Sequence, residues 1–113
     1  MIKYTVKTTD TINQAIEKIS LNGVRTVFVI DEKKSNLVGV ISEGDIIRAL
    51  VYKKKLESNV SSIMNKSFLF LKKYDDKDAK KIFIQHQVCA IPVIDKNMKL
   101  LKVLTLEEFL KKI

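Results

Sequence analysis

Most of this chain can be laid over itself. A constant shift carries Val29-Ile30-Asp31 onto Val93-Ile94-Asp95, and it also places Ala15 on Ala79, Ile19 on Phe83, Val24 on Val88 and Val27 on Ile91. Past the next turn the shift falls by one residue, because Glu32–Asn36 is one residue longer than Lys96–Lys99. Leu37, Val38, Val40 and Ile41 then fall on Leu100, Leu101, Val103 and Leu104, Ser42 on Thr105, and Asp45 on Glu108. A length change confined to a turn is what a true duplication tolerates. The copies divide the chain into residues 1–56 and 57–113. Each copy, at about 55 residues, is too short to bury a comfortable core alone. The expectation is therefore a pair of repeats packed through their sheets with pseudo-twofold symmetry, leaving a cleft at each end of the junction.

Within each copy the order reads strand, helix, strand, strand, helix, an α/β (α+β) arrangement. Ile12, Ala15, Ile16 and Ile19 recur at helical spacing, with Thr9 or Asp10 placed to cap the start and Asn22-Gly23 to end the helix. Val27–Ile30 and Leu37–Ile41 are aliphatic runs of strand length around a polar turn, apolar enough to be covered on both faces. A helix from Gly44 to Tyr52 follows. The second copy opens with an extended run, Phe68–Leu71, then a helix with Asp75, Asp76 and Asp78 near its positive end. Strands at Ala90–Ile94 and Leu100–Leu104 lead to a last short helix carrying Phe109, Leu110 and Ile113. Pro92 marks the first of these as an edge or a strand start. Lys53–Lys66, with Val60, Ile63 and Met64, reads as a connector partly pinned to the core.

Several function classes find no support. The chain's single cysteine, Cys89, and single histidine, His86, are too few for a structural zinc site, and neither has a partner set for nucleophilic catalysis. A glycine-rich phosphate loop and a catalytic triad are both missing. Apolar runs are far shorter than a membrane span and the start lacks a signal-peptide pattern, so a cytoplasmic protein without membrane contact is expected. The formal charge of +8 comes almost wholly from scattered lysines, Arg25 and Arg48 being the only arginines. A solvated surface explains that better than nucleic-acid binding.

The segment Gly39-Val40-Ile41-Ser42-Glu43-Gly44-Asp45-Ile46-Ile47-Arg48 resembles the closing motif of a CBS domain, and Val88–Asp95 with Pro92 resembles that family's proline-bearing strand. The chain is similar to a tandem CBS pair, or Bateman module. Through Glu43-Gly44-Asp45 followed by Ile-Ile-Arg-Ala-Leu, it resembles most the pairs fused ahead of bacterial sugar-nucleotide transferases. That resemblance implies a non-catalytic, ligand-sensing module controlling an attached nucleotidyltransferase-like domain after Ile113. No cofactor is required; the regulatory ligand would be an adenine nucleotide (AMP, ADP or ATP) or another adenosyl compound, and the modules would pair as homodimers. The alternative is a structural dimerisation module without a ligand, favoured by exposed apolar residues such as Ile46 and Leu50 on the short second helix.

The resemblance also implies a ligand site in the first repeat. Asp45 would hold the ribose hydroxyls, Ser42 and Arg48 a phosphate, and the Val24-Arg25-Thr26 backbone with Ile41 the adenine. A second, degenerate site would use Ala90, Thr105 and Glu108. There Lys102 replaces Gly39, adding a side chain where a close approach is needed, and Glu108 is a methylene longer than Asp45. Ser42-x-x-Asp45 is equally a helix capping box, and Thr105-x-x-Glu108 fits that box better still.

Overall fold

The computed structural model describes residues 1–112 in two compact units, Met1–Phe68 and the remainder from Leu69. Ile113, assigned from the sequence to the last helix, lies outside the described residues.

In the first unit, β1 (Thr5–Lys7) pairs parallel with β2 (Thr26–Ile30), which pairs antiparallel with β3 (Leu37–Ser42). Helices α1 (Ile12–Asn22) and α2 (Glu43–Val51) follow β1 and β3 in the chain. Ile12 and Ala15 of α1 and Ile46 of α2 enter one core with Val6, Val27, Val29 and Ile41. The cap of α1 is Thr11, not Thr9 or Asp10. Its hydroxyl accepts from Gln14 N–H, and the Gln14 side chain accepts from the Thr11 N–H at 2.8 Å. Asp10 instead accepts from the Lys7 N–H. A Gln three residues past the cap closes a reciprocal box that Thr9 could not form.

The connector is tied down as expected. Val60 is buried, its N–H donating to the Asp10 carbonyl at 2.8 Å, while Ile63 and Met64 lie against the core. Asn65 and Val40 exchange backbone hydrogen bonds of 2.8 and 3.0 Å. This explains Gly39. A Cβ there would stand 2.6 Å from Met64 Sδ and 2.9 Å from its Cβ, so the close approach at Gly39 is made by the protein's own connector.

The second unit repeats the plan with fewer parts. Helix α3 (Asp76–His86) precedes an antiparallel pair, β4 (Ala90–Ile94) and β5 (Leu100–Thr105), then α4 (Leu106–Lys112). The run Phe68–Leu71 does not form a full strand. Only Leu71 bridges, in parallel, to Val93; its N–H donates to the Pro92 carbonyl at 2.9 Å and its carbonyl accepts from Ile94. A residue's N–H and C=O point to the same side of a strand, so the N–H missing at Pro92 belongs to the Leu71 side and costs the β5 ladder nothing. Phe83 and Phe109, with ring centroids 5.2 Å apart, anchor this unit's core.

The duplication survives in fine detail. Both hairpins slip register at the same place, between Val29 and Ile30 and between Val93 and Ile94. Asp31 and Asp95 fold their turns alike, each accepting two backbone N–H bonds through Oδ1. Gly23 and Gln87 end their helices in the left-handed region, at φ 74° and 52°. Glycine holds that conformation without strain and glutamine does not. Gln87→Gly is expected to raise stability by about 1 kcal/mol in denaturant unfolding, whereas Gly39→Ala is expected to cost about 1–3 kcal/mol. The backbone bonds from Lys34 and Lys33 hold the Asp31 carboxyl below its usual range. The sign follows: that contribution is complete above the unfolded-state value and is lost as pH falls through the lowered folded one. Asp31→Asn is expected to flatten the acid limb of a stability-versus-pH curve.

Candidate functional site

β3 runs into α2 without an intervening residue, so Ser42 ends the strand and caps the helix. Ser42 Oγ accepts from the Asp45 N–H at 3.2 Å. Asp45 Oδ2 accepts from the Ser42 N–H at 2.9 Å and from its hydroxyl at 3.1 Å. The capping reading of this pair is thus realised in full. One carboxylate oxygen is left over. Oδ1 accepts from Arg48 Nη2 at 2.5 Å, in a pair whose arginine side chain is 67% exposed and whose aspartate is 17% exposed. An i,i+3 ion pair this open to water is worth about 0.2–0.5 kcal/mol.

The turn entering β2 lies beside this cap. The Arg25 carbonyl accepts from the Glu43 N–H at 3.1 Å, and Arg25 Nε stands 3.5 Å from Glu43 Oε1. Arg25 itself has φ of 61°, an uncommon conformation for a side chain of its size. What holds the turn is Asn22, which the sequence suggested only as a helix end. Its buried side chain donates to the Thr26 carbonyl at 2.9 Å and the Lys3 carbonyl at 3.1 Å, and accepts from the Val24 N–H at 2.9 Å. The Thr26 hydroxyl donates to the Ile41 carbonyl at 2.9 Å. Val24, Thr26 and Ile41 are buried, Ile41 in the helix-side core, while Arg25 and Arg48 are exposed. Much of the Val24–Thr26 polar backbone is therefore already engaged within the unit. The clue available in sequence was the Asn-Gly pair, since an amide in the last helical position can reach back over the turn it begins.

An open hollow of about 470 Å³ lies between α1 and α2, lined by Ile16, Ile19, Gly23, Arg25, Glu43 and Ile47 among others. Of the expected ligand residues it includes Arg25 alone. Ile46, expected to be exposed, is buried in the core; the exposed apolar residues of α2 are Ile47, Leu50 and Val51. Nine residues of helix turn Ile46 inward and its sequence neighbour outward, because adjacent positions point about 100° apart.

The second repeat carries the same skeleton with different chemistry. Ala90 pairs with Thr105 as Thr26 pairs with Ser42, and the Cys89 carbonyl accepts from Leu106 as Arg25 does from Glu43. Thr105 caps α4 through the Glu108 N–H at 3.1 Å, and its hydroxyl donates to Glu108 Oε1 at 3.1 Å. The box expected to fit better is thus less complete than that of Ser42 and Asp45. The extra methylene of Glu108 brings its carboxylate to the threonine hydroxyl rather than to the backbone. Glu108 is exposed, and Lys111 pairs with Glu107 at 3.2 Å. His86, in the place of Asn22, is exposed and gives the turn no comparable brace. Lys102, in the place of Gly39, is exposed with its ammonium 5.1 Å from the Tyr74 ring centroid. Among the described residues no group of three or more His, Cys, Asp or Glu could hold a metal, and no helix is long and apolar enough to cross a membrane.

Comparison with known proteins matches residues 1–52 and 60–113 separately to the family model of the CBS domain. Arabinose 5-phosphate isomerase GutQ of Salmonella typhi is 32% identical over 96 residues, which are 84% of this chain and 30% of that protein. The chain thus spans about a third of the length of such curated relatives. Among solved structures, CBSX2 in complex with AMP is 25% identical with a TM-score of 0.77, over 96% of this chain and 84% of that one. A CBS domain protein of Pyrobaculum aerophilum complexed with AMP is 24% identical with a TM-score of 0.76, over 92% and 80% of the two chains, and shares the fold.

Removing the Asn22 amide would leave the Val24 N–H and Thr26 carbonyl unsatisfied. Asn22→Ala is expected to cost about 2–3 kcal/mol in chemical denaturation. His86→Ala, at the matching place, is expected to change stability by less than about 0.5 kcal/mol.

Proposed function

Because the chain belongs to the CBS-domain family and carries two of its repeats, we propose that it is a nucleotide-sensing regulatory module whose first repeat receives an adenine nucleotide at Asp45. The observation that carries this reading is Asp45 itself: one oxygen fixes the start of α2, and the other meets only a solvent-exposed arginine. A carboxylate so placed can accept from both hydroxyls of a ribose in charge-assisted bonds. Ser42 would turn its hydroxyl toward phosphate, Arg48 would join it, and the Val24–Thr26 backbone with Ile41 behind it would border the base. CBSX2, similar over nearly the whole chain, is described in complex with AMP, which supports this ligand class. The second site, at Ala90, Thr105 and Glu108, is degenerate in this reading, since its carboxylate is longer and exposed.

The module's output would be an attached catalytic domain acting in the cytoplasm. A nucleotidyltransferase is the partner suggested by Glu43-Gly44-Asp45, and the similarity to a sugar-phosphate isomerase supplies a second candidate. A further reading, a ligand-free dimerisation module, is favoured by the exposed Ile47, Leu50 and Val51 of α2, the first of which lines the hollow between α1 and α2. Calorimetric titration of the chain with AMP, ADP and ATP tests the first. One site per chain is expected, weakened at least about tenfold by Asp45→Asn and unchanged by Glu108→Gln. Two equal sites would overturn the assignment. Absence of any thermal stabilisation by millimolar nucleotide would favour the dimerisation reading.

A further inference from the structure

Both arginines of the chain, against a background of lysines, converge on the first turn of α2: Arg25 reaches Glu43 and Arg48 reaches Asp45. Arg48 holds the one Asp45 oxygen that the cap leaves over. A Cβ at Gly44 would stand 3.4 Å from Arg48 Nη1, ordinary van der Waals contact, so the pair does not depend on glycine there. The second repeat has Glu107 in place of that glycine and Lys111 in place of the arginine, and this lysine turns to Glu107.

We propose that Arg48 is an exchange latch that makes binding at Asp45 depend on a phosphate in the ligand. The inference rests on the ribose-binding role of Asp45. With no ligand, the guanidinium occupies Oδ1. A ribose can take that oxygen only if Arg48 leaves, and the departing guanidinium then returns to water unless the ligand brings another anion within its reach. A 5′-phosphorylated adenosine brings one, and the planar fork of arginine suits it. Adenosine, or an adenosyl compound without phosphate, displaces the arginine and offers no replacement. The latch thus selects nucleotides over nucleosides. It opens readily because a surface pair of this kind is weakly held.

Titration of the chain with AMP and with adenosine, in the wild type, Arg48→Met and Arg48→Lys, tests this. The wild type is expected to prefer AMP by at least about tenfold. Arg48→Met is expected to weaken AMP and leave adenosine equal or tighter, reducing the preference to within about threefold, with partial recovery in Arg48→Lys. An unchanged AMP-to-adenosine ratio in Arg48→Met overturns the latch while leaving the nucleotide site standing. A wild-type protein that binds neither compound removes the site, and the latch with it.

Discussion

Between β3 and α2 there is no loop to absorb error. The residue that closes the β2–β3 ladder, Ser42 opposite Thr26, is also the residue that caps α2. The hairpin register therefore sets where the helix begins and where the Asp45 carboxylate stands. That register is fixed from the far end by the Asp31 turn and by the slip between Val29 and Ile30. Local turn chemistry, ladder and cap form one mechanical chain.

The same economy limits what Asp45 can offer. A capping box is normally a closed arrangement in which side chain and backbone satisfy one another. Here it engages one carboxylate oxygen and leaves the other to a flexible, exposed arginine. Capping and ligand binding, which compete as explanations of Ser-x-x-Asp, are compatible because a carboxylate has two oxygens. Glu108 shows what is lost when the side chain lengthens: its Oε1 meets only the Thr105 hydroxyl. It is also exposed where Asp45 is half-buried.

The two repeats share a backbone and differ in bracing. Asn22 pins the turn into β2 with three hydrogen bonds, and Gly39 admits Met64 so that the connector closes over the first core. The second unit has His86 and Lys102 at these places, a single bridge at Leu71 in place of a third strand, and a glutamine in the left-handed position that Gly23 occupies without strain. The first copy retains the side chains that order its turn and its cap.

The repeat, the alternation of helices and paired strands, the pinned connector and the candidate carboxylate were all legible in the sequence. They rest on periodicity and on chemistry between near neighbours. The choice of Thr11 over Thr9 as a cap was nearly legible too, through the Gln three residues on. What only the tertiary structure decided is how polar groups and surfaces are allotted among partners far apart in the chain. Sequence shows that Asn22 ends a helix; only folding reveals that it carries the Thr26 and Lys3 carbonyls. Sequence shows Gly39 in a motif; only packing shows that Met64 requires it. Ile46 and Ile47 are the same residue type, and the rotation of α2 against its sheet buried one and exposed the other. Composition and spacing determine which bonds are possible, but geometry decides which of the competing partners arrives.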